Sequence, residues 1–202
     1  VISNIYCVGY NYLKHAHELG NVVQDEPVIF SKPNSSLILG SQIDLPDFSK
    51  EIHFETEIVL RISKDTFMVN ERKAEECYDA VTVDLDLTAR DLQTKLKEKK
   101  LHWLLSKGFK GAAYVSEFIK KEKINGPITF EMKLNGKTKQ LGNTKDMIFS
   151  FEKIISFLSH YIQLRSSDII CTGTPQGVGK LSSFDEIELY LKNKLISEIK
   201  VK

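Results

Sequence analysis

Three carboxylates in two short stretches carry the strongest chemical signal of the chain. Glu55 and Glu57 lie in His53-Phe54-Glu55-Thr56-Glu57, and Asp86 lies in Leu85-Asp86-Leu87-Thr88-Ala89-Arg90-Asp91. Both stretches read as buried strands. An ionised carboxylate buried without a partner is so costly that the group neutralises instead. Several aimed at one point therefore hold a cation, and oxygen-only ligands suit Mg²⁺, with Mn²⁺ or Ca²⁺ as substitutes. The two glutamates alone fit equally well on the solvated face of an edge strand. Asp86 tips the balance towards a metal, because Asp is depleted in strands and this one stands at a strand end.

Other residues offer chemistry with weaker signals. His15 and Glu18 are three apart on one helical turn, where a carboxylate can fix an imidazole tautomer and make a general base. A surface histidine beside an unrelated glutamate is the competing reading. His15 and His17 would be a poor zinc pair, since a helical spacing of two separates the rings. Lys107 sits in the apolar stretch Leu104-Leu105-Ser106-Lys107-Gly108-Phe109, as a buried cation or as a snorkelling side chain. The loop Gly173–Gly179 falls short of a phosphate cradle, because the second P-loop glycine would have to be Val178. Ser36, Ser106 and Thr174 carry no serine-triad signature.

Positioning these groups needs strands more than helices. Ile52–Ile62 reads as one long strand whose alternation sends Glu55 and Glu57 to the same face. Ala80–Leu87 reads as a second strand, with Thr82, Asp84 and Asp86 on one side. Thr88 fits an N-cap with Asp91 three residues on, opening a helix to about Lys100. Arg90 and Gln93 would project from one side of its first turn. Strands are also expected at Ile5–Gly9, Val28–Lys32 and Asp168–Cys171, with one or two helical turns over Asn11–Leu19. Asn135-Gly136 signals a type I′ hairpin, Phe151–Ile162 an amphipathic helix, and Glu186–Leu191 with Leu195–Val201 a terminal hairpin. Many strands, few helices and no βαβ alternation point to a β-rich α+β fold.

With 202 residues, the chain can bury a core without disulfides, and residues 1–202 read as one domain. A net charge of +1 gives no field to recruit nucleic acid or anionic lipid. The lysine run Lys95–Lys100 reads as a solvated helix face. Three cysteines without CxxC spacing argue against a disulfide framework or structural zinc. No secretion signal or membrane-length apolar run is visible, so a reducing cytosol is expected.

In this order and spacing the motifs resemble the fumarylacetoacetate hydrolase family, in particular its short acylpyruvase and oxaloacetate decarboxylase branch. The matching stretches are Cys7-Val8-Gly9-Tyr10-Asn11-Tyr12 with His15 and Glu18, Phe30-Ser31-Lys32-Pro33, the glutamate and aspartate stretches above through Gln93, Ser106-Lys107-Gly108-Phe109, Met147-Ile148-Phe149-Ser150 and Thr172–Gly179. The resemblance implies a mixed β-roll core, normally in a homodimer. It implies Mg²⁺ or Mn²⁺ on Glu55, Glu57 and Asp86, and a water-activating pair His15 and Glu18 on a closing lid. It further implies substrate contacts from Lys107, Arg90, Gln93 and Thr174, with Lys32 in support. The expected activity is cleavage of a C–C bond in a small diketo or keto acid, by hydrolysis or decarboxylation, with oxo-acid tautomerisation as the alternative. A non-catalytic metal-binding protein would not need His15, Glu18 and Lys107 together. Tyr10, where the family often carries Arg, together with Asp84 and Lys110, departs from the pattern.

Overall fold

The computed structural model describes residues 2–14 and 24–202. His15 and Glu18, and the lid expected over roughly residues 14–26, fall largely outside the described residues.

Three sheets organise the described residues. A seven-stranded sheet runs in the order Val28–Lys32, Ile5–Gly9, Ile169–Cys171, Thr56–Ile62, Tyr78–Asp86, Ala113–Val115, with Ile119–Lys120 also paired to Tyr78–Asp86. Its pairings are antiparallel except that Ile5–Gly9 lies parallel to Ile169–Cys171. A five-stranded sheet holds the Thr129–Leu134 and Lys137–Asn143 hairpin, the terminal hairpin Glu186–Leu191 and Lys194–Val201, and the short strand Gln42–Ile43. A three-stranded sheet joins Gly179–Lys180, Ile52–Phe54 and Thr88–Ala89. The mixed α+β expectation holds.

The main core lies between the two large sheets. Ile58, Leu60, Val81, Val83 and Leu85 belong to one apolar cluster with Phe130, Met132, Ile187 and Leu189 of the other sheet. The helix Phe151–Tyr161 adds Ile154, Ile155 and Leu158 to it. Ser150 caps that helix by accepting from the Lys153 N–H. The opposite face of the seven-stranded sheet carries a smaller cluster of Ile5, Cys7, Val59, Ala113, Ile169 and Cys171. Period-two alternation places Glu57 on the Val59 side, away from the main core. The three cysteines are free and buried, as their apolar settings suggest.

Two expectations are corrected at the point where the carboxylates stand. Ile52–Ile62 is two strands, Ile52–Phe54 and Thr56–Ile62, in different sheets. The neighbouring chain changes sheet at the same level, from Tyr78–Asp86 to Thr88–Ala89. Glu55 and Leu87 are the two hinges, and the Asp86 N–H bonds the Glu55 carbonyl across them at 2.8 Å. Alternation along a sequence cannot reveal such a corner, because the side-chain period continues through it. Nor is Thr88 an N-cap: it lies in the short strand, and Ala89 precedes the helix Arg90–Glu98 without a side-chain cap. Thr88 Oγ1 instead donates to Glu55 Oε1 at 3.2 Å. Asp91 accepts from Ser49 Oγ at 2.6 Å and from the Leu92 N–H at 2.8 Å. The Asn135-Gly136 turn has both φ angles positive, 52° and 73°, as a type I′ hairpin requires.

Candidate metal centre

The sheet-to-sheet corner brings Glu55, Glu57 and Asp86 together. All three are buried, and one oxygen from each lies within 4.8 Å of the others. Asp84 is also buried on this face, directly opposite Glu57 in the strand register. Four carboxylates thus crowd a dry patch, a like-charge arrangement that the fold must offset.

Three cations and a backbone amide do part of that. Lys107 Nζ bridges Glu55 Oε2 at 2.8 Å and Asp86 Oδ2 at 2.9 Å. Lys32 Nζ lies 2.7 Å from Asp86 Oδ1 and also donates to the carbonyls of Leu87, Lys107 and Ala112. Arg90 pairs with Glu55 Oε1 and donates to Gln93 Oε1 at 2.6 Å. Glu57 Oε2 accepts the Gly173 N–H at 2.6 Å. Burial and then the charges of Asp84 and Asp86 still push the Glu57 carboxyl well above its usual range. Burial likewise raises Asp84, against a hydrogen bond from the Cys171 thiol. For Lys107, burial works against its charge, but Asp86 and Glu55 outweigh it and hold the ammonium above its ordinary value. Carboxylate oxygens from three residues, buried and gathered at one point, are a set that a hard divalent cation fits.

The remaining candidates sit around this patch. Lys107 enters from the short helix Leu104–Lys107, with Nζ 5.0 Å from the Phe30 ring centroid. Gln93 and Thr174 are buried and line the same cleft as Glu55, Glu57, Arg90 and Lys107. Lys32 is buried behind Asp86, in a supporting place. Asn11 ties the first strand to the Thr172 loop, donating to the carbonyls of Thr172 at 2.7 Å and Phe149 at 3.1 Å.

Gln140 was missed at the sequence level. Its Oε1 accepts the Thr56 N–H at 2.9 Å, while Nε2 donates to Thr174 Oγ1 at 2.8 Å and to the Pro175 carbonyl at 2.9 Å. It locks the glutamate hinge to the Thr174 loop, yet in the sequence it is one polar residue among the lysines of a hairpin strand. The lysine run is not one solvated face: Lys97 is half-buried in the cleft, whereas Lys95, Lys99 and Lys100 are exposed. Lys110 lies apart from the carboxylates, on a larger concavity of about 1360 Å³ walled by residues such as Leu39, Leu45, Phe48 and Phe118. Glu55 and Glu57 line the narrow cleft instead.

The fumarylacetoacetate (FAA) hydrolase C-terminal family matches residues 4–201. The chain belongs to this family. It is 42% identical over 189 residues to the mitochondrial oxaloacetate tautomerase of Homo sapiens, covering 92% of this chain and 86% of that one. The Arabidopsis thaliana oxaloacetate tautomerase is 41% identical, covering 88% of this chain and 81% of its own length. A fumarylacetoacetate hydrolase family protein from Yersinia pestis superposes with a TM-score of 0.95 at 33% identity, covering 100% of this chain and 94% of the other. Fumarylpyruvate hydrolase from Pseudomonas aeruginosa, solved in complex with Mn²⁺ and pyruvate, superposes at 0.93 with 27% identity, covering 99% of this chain and 89% of that one.

Proposed function

We propose that this protein is a divalent-metal-dependent enzyme that cleaves a C–C bond in a small 2-oxo acid, such as an acylpyruvate, fumarylpyruvate or oxaloacetate. The reading rests on the buried trio Glu55, Glu57 and Asp86 within 4.8 Å, beside the cations Lys107 and Arg90. Glu55, Glu57 and Asp86 would hold Mg²⁺ or Mn²⁺, which acts as a Lewis acid on the oxygens of a 2-oxo acid.

The chain's own residues supply the rest. Lys107, fixed between two carboxylates, keeps its proton and presents a donor to the oxygen on which negative charge develops. Arg90 and Gln93, hydrogen-bonded to each other, form a rigid pair for orienting the acid. In hydrolysis His15, oriented by Glu18, takes a proton from the attacking water; the water oxygen adds to the remote carbonyl, and pyruvate leaves as its enolate. In decarboxylation CO₂ leaves instead, and no water is activated.

Tautomerisation of oxaloacetate is the second reading, favoured by the names of the relatives at 41–42% identity. It needs the same orientation, a base that takes a proton from one of the two atoms, carbon or oxygen, and an acid that returns one to the other, but no C–C cleavage. A steady-state screen of acylpyruvates, fumarylpyruvate and oxaloacetate with Mg²⁺ or Mn²⁺ tests both. Metal-dependent release of pyruvate supports cleavage. Keto–enol exchange of oxaloacetate without pyruvate supports tautomerisation. Turnover unaffected by exhaustive chelation overturns both.

A further inference from the structure

Lys97 is the one cleft cation for which the described residues provide no carboxylate within ion-pair distance. Arg90 is paired with Glu55, and Lys107 with Glu55 and Asp86. Lys97 instead rests on two aromatic faces, 5.2 Å from the Tyr10 ring centroid and 5.1 Å from that of Trp103. The two rings meet edge to face at 5.9 Å. Lys97 follows Gln93 by four residues and Arg90 by seven on the helix Arg90–Glu98, so all three share one face. All three line the cleft that contains Glu55 and Glu57.

The aromatic seat keeps this ammonium half-buried and aimed along the cleft wall. Burial, and next the charge of Arg90, lower its pKa against the opposing charge of Glu55, and a bound anion would act in the same stabilising sense as Glu55. A ring face offers less to an ammonium than a charge-assisted hydrogen bond does. The flexible four-carbon stem lets the head group leave the rings for a stronger acceptor. Arg90, paired with Glu55, then Gln93 and Lys97 follow one another along that helix face, so Lys97 is a further cation in the cleft for an acid held near the carboxylates.

Resting on the reading of the cleft as a 2-oxo-acid site, we propose that Lys97 determines specificity by binding the far carboxylate of a dicarboxylic 2-oxo acid. The site would then favour a dianion such as oxaloacetate over a 2-oxo acid with an uncharged tail, such as acetylpyruvate.

Lys97→Met keeps the stem against Tyr10 and Trp103 and removes only the charge. Measured with Mn²⁺ present, its ratio of kcat/KM for oxaloacetate to kcat/KM for acetylpyruvate should fall by about 10–100-fold, the usual weight of a hydrogen bond to a charged group. The loss should appear mainly in KM, and Lys97→Arg should recover part of the ratio. Lys97→Gln repeats the test should the methionine variant fold poorly. A ratio unchanged in both neutral variants, in an enzyme active on either acid, overturns the role of Lys97 while leaving the reading of the cleft intact. Wild-type protein that neither binds nor turns over either acid with Mn²⁺ overturns the reading itself, and this role with it.

Discussion

Asp86 shows how tightly charge is balanced at the level of single residues. It is fully buried and faces Lys32 on one oxygen and Lys107 on the other. Removing it leaves buried Lys32 with carbonyl acceptors and no counter-ion, and Lys107 with Glu55 alone. Asp86→Ala should therefore lower the stability of the metal-free protein by about 3–5 kcal/mol, the usual cost of breaking a buried pair from one side; chemical denaturation reads this directly. The shape-preserving Asp86→Asn should fold better and still fail to bind Mn²⁺ in a calorimetric titration. Glu57 makes a prediction of opposite sense. Its carboxyl is raised in the folded state above the ordinary 4.5. The stability it contributes is complete below that ordinary value and is lost as pH rises through the higher, folded one. Metal-free protein should thus lose melting temperature as pH climbs above about 4.5, and Glu57→Gln should flatten that decline. Because a cation needs the carboxylate form, Mn²⁺ affinity should rise with pH over the same interval. For His15, assigned as general base in the hydrolytic reading, His15→Ala should lower kcat for an acylpyruvate by about 10²–10⁴-fold. Oxaloacetate decarboxylation should suffer less. Equal losses on the two substrates, in parallel steady-state assays, would remove the water-activating role.

At the scale of elements, the site depends on where two strands turn out of one sheet into another. The loop after Ile169–Cys171 meets that corner at Gly173, whose N–H donates to Glu57. The Gly173 φ of 99° lies in the left-handed region, and a Cβ there would stand 2.7 Å from the Asn11 Cβ and 3.2 Å from the Val8 carbonyl. The strain falls on backbone and on a buried side chain rather than on a flexible tip. Gly173→Ala should therefore shift the loop, break the 2.6 Å amide contact to Glu57 and weaken Mn²⁺ binding along with melting temperature. A variant with wild-type Mn²⁺ affinity would show that this amide does not hold Glu57 in place. Gln140 works in the same sense from the opposite side, joining the Thr56 amide to Thr174.

For the whole molecule, the two large sheets enclose the main core, while Glu57, Asp84 and Asp86 stand on the other face of the larger sheet. Among the described residues no helix is long and apolar enough to cross a membrane. The family resemblance implies a homodimer, and we keep this as a proposal. Sedimentation equilibrium should return twice the 23.0 kDa chain mass, and a single-chain mass at micromolar concentration would refute it. Cytosolic placement, expected from the cysteine usage together with the lack of a visible secretion signal, is likewise a proposal, to be tested by cell fractionation.

The sequence by itself singled out Glu55, Glu57 and Asp86 as a candidate metal set, because carboxylates in apolar, strand-like surroundings are costly unless they meet partners. Lys107, Arg90 and Gln93 took their expected roles from the family resemblance. The Asn135-Gly136 turn and the stripe of Phe151–Tyr161 were legible because turn chemistry and helical period act over a few neighbouring residues. Tertiary structure decided what depends on distant partners. The break at Glu55 and the strand role of Thr88 follow from the change of sheet, which period-two alternation passes through unmarked. Gln140 acquires its task only when a hairpin 84 residues away packs against Thr56. Lys97 parts from its exposed neighbours only because Tyr10 and Trp103 converge on it from other segments. Local free energies write themselves into local sequence; contacts between remote segments leave their mark only once the chain has closed on itself.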